Sequence, residues 1–290
     1  MRTGVRMNVN SEISDTGNKM IAFANAKINL GLYVTERRPD GFHNLESIFL
    51  PVSLCDVVEA IRTDGGDIVF STQGRSIDGE TETNLCVRAY RLLQRDFGIG
   101  GVEATMLKNV PIGAGLGGGS SDGAHMLKLL NTLFNLELST EQLQAYAAQL
   151  GSDCPFFIEN NPAYVYGRGE LLEPINLALS GQHVVIIHPG IHVSTAEAYR
   201  GIIPRRSPFD LRQIERLPRE AWQQTVTNDF EETVCKNHPA IEALIQTLLQ
   251  EGAWYARMSG SGSAVFGFFD KPIELKSIDP SYFVHWGQVL

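Results

Sequence analysis

Among 290 residues, the side chains with most chemistry to offer fall in three places. The densest is Pro111-Ile112-Gly113-Ala114-Gly115-Leu116-Gly117-Gly118-Gly119-Ser120-Ser121. Glycine takes positive φ without strain and lets a ligand approach the main chain. A bent run of glycines therefore presents many amide N–H groups together. The first turn of a helix has unpaired amides and a positive dipole end, so a glycine loop feeding one makes an anion site, usually for phosphate. Ser120, Ser121 and Asp122 are able to cap such a helix, and the serines are able to reach a phosphate or its metal. Lys27 and Asn29 stand two apart in an alternating segment and so share a strand face, as a solvated pair or a functional one. Asp153 lies between a helix end and a proline, where a carboxylate either bonds nearby amides or is fixed at the rim of a site.

Read from the residues alone, the glycine run has three uses. It is a structural turn, a dinucleotide fingerprint or a nucleoside triphosphate loop. Gly113, Gly115 and Gly118 fit G-x-G-x-x-G, but that motif needs an acidic residue about twenty positions on, closing the next strand. Glu137 falls near that distance and precedes a new helix instead. No Lys-Ser/Thr follows the last glycine, so the Walker pattern fails. A lysine serving the phosphates then comes from elsewhere in the chain.

These residues need elements to hold them. Val102, Ala104 and Met106 alternate with polar neighbours, which predicts a strand before the loop, and Ala124, Leu127, Leu130 and Phe134 recur at helical spacing after it. Ile28, Leu30, Leu32 and Val34 alternate around Lys27 and Asn29. Arg38-Pro39-Asp40-Gly41 is a turn signal. It delivers Phe42 and His43 to a hairpin tip, as packing residues or, beside a ligand, to stack a base and bond its edge. Strands are expected at 46–58, 67–71, 184–188, 254–258 and 264–269, and an apolar strand is expected after Asp153. Helices are expected at 84–97, after the capping box Ser139-x-x-Gln142 with Gly151 as its stop, after Ser194, and from Pro239 to Gly252. Residues 204–218 read as a basic surface connection. The loop Ser259-Gly260-Ser261-Gly262-Ser263 reads most simply as a hairpin turn. Strands and helices mix without steady βαβ alternation, so the fold class is α+β.

Composition narrows the function. Lys+Arg 24 against Asp+Glu 33 gives net charge −9, which opposes nucleic-acid binding. No apolar run approaches the roughly 20 residues of a membrane span. Cys55, Cys86, Cys154 and Cys235 are scattered, without C-x-x-C, and read as free thiols in a reducing compartment. With no H-E-x-x-H either, no protein-held metal site is expected. Residues 1–19 are polar, lack the apolar segment of a secretory signal, and read as a disordered extension of a cytoplasmic protein.

Together the segments resemble the superfamily of galactokinase, homoserine kinase, mevalonate kinase and phosphomevalonate kinase. The resemblance runs from about Met20 to near the C-terminus. It rests on Ala26-Lys27-Ile28-Asn29-Leu30, the 111–121 loop and the late Met258-Ser259-Gly260-Ser261-Gly262-Ser263. Arg38-Pro39-Asp40-Gly41-Phe42-His43, residues 151–157 and Asn228-Asp229-Phe230-Glu231 resemble the branch acting on a cytidine-diphosphate-linked methylerythritol. The resemblance implies two α+β lobes, 20–167 binding ATP and 168–290 completing the fold, with the site between them. It implies transfer of the ATP γ-phosphate to the substrate's 2-hydroxyl, a step of non-mevalonate isoprenoid synthesis. It implies Lys27 and Asp153 as the catalytic pair, the 111–121 loop on ATP, and Asn29, Phe42 and His43 on the substrate. A second aromatic wall for the cytosine is expected near His192. Mg²⁺ is expected to bind mainly through the nucleotide phosphates. The expected partner is the small-molecule substrate alone, with no nucleic acid or membrane and with the chain monomeric or weakly dimeric. The rivals are a mevalonate or homoserine kinase, against which Gly41-Phe42-His43 argues, a non-catalytic nucleotide-binding regulator and an RNA-binding module.

Overall fold

One long strand sets the architecture. In the computed structural model, which describes residues 13–15, 17–77, 79–276 and 278–290, β2 (Lys19–Arg37) pairs antiparallel with β3 (His43–Arg62). The hairpin closes as its sequence demands: Gly41, at φ +86°, donates to Arg38 O, and Asp40 accepts from Phe42 N and from the Arg38 side chain. The first sheet adds β1 (Ile13–Asp15), β4 (Ile68–Gly74) and β5 (Val102–Lys108) in the order β1-β2-β3-β5-β4, while β6 (Ala163–Tyr166) pairs with β3 and β7 (Leu171–Pro174) with β6. Crossing between the parallel β4 and β5 is α1 (Leu85–Phe97), begun by the Asn84 side chain accepting from Cys86 N and ended by Gly98 at φ +62°. Two more helices, α2 (Gly118–Leu133) and α3 (Thr140–Leu150), pack with α1, and α3 opens on the Ser139–Gln142 capping box.

After a short helix α4 (Phe156–Glu159), the chain builds a second sheet. β8 (His183–His188), β9 (Tyr255–Met258), β10 (Val265–Phe269) and β11 (Phe283–Gln288) lie antiparallel in the order β11-β8-β10-β9. Between β8 and β9 run α5 (Thr195–Tyr199), α6 (Trp222–Thr225), α7 (Phe230–Asn237) and α8 (Pro239–Gln250), the last with its proline in the first turn.

Three apolar clusters make the core, and β2 enters each. Ala22 and Ala24 pack with α1 and α2; Ala26, Ile28 and Leu30 pack with Val184, Ile186, Phe266 and Phe268 of the second sheet; Leu32 and Val34 pack with α7 and α8. Register shifts between Asn25 and Lys27 and between Leu30 and Leu32 accompany these handovers.

Several expectations meet a different structure. Residues 1–12 lie outside the described residues, but Ile13–Asp15 pair with Met20, Ile21 and Ala22, so the extension expected over 1–19 includes a strand. The β6–β7 pair carries the first sheet past the division expected at residue 168, to Pro174. The connection at 204–218 is anchored by Leu211 and Ile214, both buried. The apolar run after Asp153 is α4 rather than a strand: short apolar runs fit either element, and here turn bonds from Cys154 N to Gly151 O and from Phe157 N to Cys154 O start a helix.

The second lobe is stitched to β2 by residues 227–229. Leu32 N donates to Thr227 O, Asp229 N donates to Leu32 O, and Val34 N donates to the Asp229 carboxylate. Buried Asn228 passes this link on, donating to Met258 O and Gly260 O and accepting from Phe230 N. Asn228→Ala strands both carbonyls, so it is expected to lower stability by about 1–3 kcal/mol, read as a lower urea midpoint at unchanged slope. A loss below about 0.5 kcal/mol would contradict this account of the link.

Candidate active site

The glycine loop runs from β5 into α2 and is shaped by what touches it. Gly113, Gly115 and Gly117 have φ of +64°, +78° and +69°. A Cβ on Gly115 would lie 2.0 Å from Ser259 O, and one on Gly117 would meet the Lys27 chain at 3.1 Å. Ser259 Oγ donates to Gly115 O (2.8 Å) and accepts from Asn29 N (3.1 Å), and Ala264 N donates to Ala114 O. The second glycine-serine loop does join β9 to β10, and it also braces the first. α2 begins after Gly117 with no side-chain cap, so the capping expected of Ser120, Ser121 and Asp122 is overturned; all three lie inside the helix. Buried Ser121 turns away from the cavity and donates to Asn25 O (2.7 Å). Pro111 to Ser120, one wall of the cavity, are joined there by Asp153, His192 and Ser261. Its volume, about 780 Å³, is that of a small-molecule site.

Lys27 and Asp153, 126 positions apart in sequence, meet at this wall: Nζ lies 3.5 Å from Asp153 Oδ2. The alternating face of β2 that bears Lys27 is buried rather than solvated, Lys27 being 4% and Asn29 2% exposed. Lys27 Nζ donates to Asn29 Oδ1 (2.6 Å) and sits 4.2 Å from the Phe49 ring centroid. Burial pulls the Lys27 pKa below its ordinary value, and the Asp153 charge opposes that fall. Asn29, expected on the substrate, gives its oxygen to Lys27 and its amide to Ser47 Oγ (2.9 Å), so it holds the amine in place.

Beside the loop lies a triad absent from the sequence-based expectations, two of its members, Lys108 and Asp122, lining the same cavity. Lys108 Nζ bonds Asp56 (2.5 Å) and Asp122 (2.6 Å), all three residues being buried. Asp56 Oδ1 also accepts from Asn109 N and Val110 N, which ties the loop's entry to β3. Burial works against the Lys108 charge, but Asp122 and Asp56 together raise its pKa. Burial pushes Asp122 up to about 8 despite Lys108, and its Oδ1 has no partner among the described residues. Two carboxylates around one buried cation leave one excess negative charge, which a proton on Asp122 removes. Only the spacing of Lys108 and Asp122 across the loop could have signalled this.

The aromatic end is partly as expected. Phe42, 57% exposed, and His43 sit at the β2–β3 hairpin tip. His43 stacks on Tyr199 of α5, with centroids 4.7 Å apart and planes at 22°. His192, offered as the second wall, lies elsewhere: a Cβ on Gly113 would be 3.6 Å from its Nδ1, against the phosphate loop. Tyr199 was missed because helical spacing gives an aromatic in α5 no mark of function. Burial raises its hydroxyl pKa and the Asp153 charge adds to that, so the stacked pair and the carboxylate share one field.

Two segments match family models, residues 84–161 the GHMP kinases N terminal domain and residues 206–278 the GHMP kinases C terminal. A 4-diphosphocytidyl-2-C-methyl-D-erythritol kinase of Bacteroides fragilis is 47% identical over 262 residues, 90% of this chain and 96% of that protein. A crystal structure of 4-(cytidine 5'-diphospho)-2C-methyl-D-erythritol kinase, 36% identical, superposes with TM-score 0.74 over 87% of this chain and 91% of its own. The Methanococcus jannaschii mevalonate kinase, 15% identical, shares the fold at TM-score 0.70 over 95% of this chain and 100% of its own. The chain belongs to the GHMP kinases and, among them, to the family of the erythritol kinases just named.

The Asp122 proton gives the site a measurable pH signature. A carboxyl raised from 3.8 to about 8 on folding binds its proton more tightly in the native state. Its stabilisation is complete below the unfolded value and is lost as pH rises toward 8. Relative to Asp122→Asn, the wild type is therefore expected to lose stability between pH 5 and about 8 and to change little above that, as read by urea unfolding across the range. Parallel profiles would sink the assignment.

Proposed function

We propose that the cleft transfers the γ-phosphate of ATP to the 2-hydroxyl of 4-diphosphocytidyl-2-C-methyl-D-erythritol. The observation that carries this reading is the meeting of Lys27 and Asp153 beside a glycine loop that lines one cavity. Phosphoryl transfer needs little covalent help; it needs reactants held in line and the phosphate oxygens neutralised. The loop amides and the start of α2 supply fixed donors. The Lys27 ammonium, held by Asn29 and Asp153, is set to touch the transferring phosphate. Asp153, about three-tenths exposed and facing the cavity, orients the substrate hydroxyl and accepts its proton. A loose transition state asks little of that base. Phe70, Ile77 and Leu85 also line the cavity, and their apolar surface suits a nucleotide base.

Among the described residues no group of three His, Cys, Asp or Glu side chains converges to hold a metal. Mg²⁺ would be held mainly by nucleotide phosphates, with Asp153 and Ser120 among the oxygen donors of this chain that line the cavity at the loop. It would supply positive charge to the phosphates. The stacked His43–Tyr199 pair, with Phe42 beside it, offers the flat apolar faces and ring nitrogens that a cytosine requires. No helix among the described residues is long and apolar enough to cross a membrane.

Two measurements test the reading. ADP release with ATP, Mg²⁺ and the cytidyl-diphosphate substrate is expected, with none above background for mevalonate or homoserine; the reverse pattern would assign another kinase of the superfamily. Asp153→Asn is expected to lower kcat by about 10² to 10⁴. Turnover within a few-fold of wild type would remove the carboxylate from the proton path.

A further inference from the structure

The residues named so far leave the middle of the proposed substrate without a counter-charge. A pyrimidine at His43 and Tyr199 and an alcohol at Asp153 put the substrate's diphosphate between them. The turn joining β6 to β7, Gly167-Arg168-Gly169-Glu170, comes close both to Asp153 and to Phe42 beside His43. Gly169, at φ +106°, lies against the carboxylate end: a Cβ there would be 3.8 Å from Asp153 Oδ1. One residue earlier, the Arg168 guanidinium lies 5.4 Å from the Phe42 ring centroid, at the aromatic end. The turn is fixed by Leu45 N donating to Gly167 O (2.7 Å) and by Arg168 N donating to Glu170 Oε2 (2.6 Å).

Three other cations of the cleft and hairpin are committed elsewhere. Arg38 is bonded to Asp40 and Asn44, Lys108 to its two aspartates, and Lys27 to Asn29 beside the transfer point. Arg168 makes one half-exposed ion pair, Nε to Glu170 at 3.3 Å, and its charge also reaches the exposed Asp40 carboxylate, but its two terminal nitrogens have no hydrogen bond among the described residues. An exposed pair of that kind is weak. A planar guanidinium with free N–H groups is suited to bidentate contact with phosphate oxygens. We infer that Arg168 is a specificity-determining residue that binds the substrate's diphosphate while its face rests on Phe42. This rests on the proposed function.

The test uses the full chain with ATP and Mg²⁺, comparing wild type, Arg168→Gln and Arg168→Lys, with CDP and cytidine as competitive probes. Arg168→Gln is expected to raise KM for the cytidyl-diphosphate substrate about tenfold to a hundredfold, the range of a lost charged hydrogen bond, with a smaller change in kcat and an unchanged KM for ATP. It should weaken CDP by a similar factor and cytidine less than about twofold, and Arg168→Lys should recover part of the loss. An unchanged KM, or equal weakening of CDP and cytidine, overturns the inference; equal weakening would assign Arg168 to propping the Phe42 ring alone. If the wild type itself releases no ADP with the cytidyl-diphosphate substrate, the proposed function fails first, and the inference with it.

Discussion

A protonated amine beneath the surface is the constraint on which the rest is built. Removing an ammonium from water costs several kcal/mol unless charge and hydrogen bonds replace its hydration. Lys27 finds those replacements on four different pieces of chain: Asn29 on its own strand, Phe49 on β3, Asp153 before α4, and the glycine loop against its methylenes. Each must be in place for the others to be tolerable. Asn25, Lys27 and Asn29 form a buried polar row along one face of β2, and each is satisfied from a distant segment, Asn25 by Asn160 through two reciprocal amide bonds. That row fixes where the amine of Lys27 and the carboxylate of Asp153 meet.

The second dependency runs through Ser259. Its hydroxyl touches Gly115 O and Asn29 N together, so the late loop clamps the glycine loop to the strand that bears the amine. Asn228 then binds the same late loop from the other side. The cleft is in this way held by main-chain contacts across the two lobes. The shared core of Ile28, Leu30, Val184, Ile186, Phe266 and Phe268 removes freedom that a flexible joint would allow.

Much of this was readable from residue order. The glycine run, the turn at Arg38-Pro39-Asp40-Gly41, the cap at Ser139 and the stripe of α8 all carry local signatures, and local signatures survive in a one-dimensional reading. What escaped was non-local or ambiguous. The Lys108 triad joins β3, β5 and α2, and apart from the spacing of Lys108 and Asp122 across the loop nothing local reports it, Asp56 least of all. Ser121 looked like a phosphate ligand by type, yet helical rotation turns it onto Asn25 O. Tyr199 carries no local mark of function, and the strand end near it offered only His192, which the structure places against the glycine loop. Phe156 and Phe157 fit a strand or a helix equally until the preceding turn bonds decide. Burial of Lys27 and Asn29 likewise depends on which segments cover their face, which alternation alone does not state.

The passage of β2 through all three apolar clusters has a consequence for how the molecule comes apart. Two lobes that each kept a private interior could melt in separate steps. Here the same nineteen-residue strand lends its alanines, branched chains and leucines to every interior in turn. Pulling it from one exposes the next, so opening one interior disturbs the packing of the other two. Cooperativity over the whole length is thus inherited from one stretch of backbone rather than from the size of the interface.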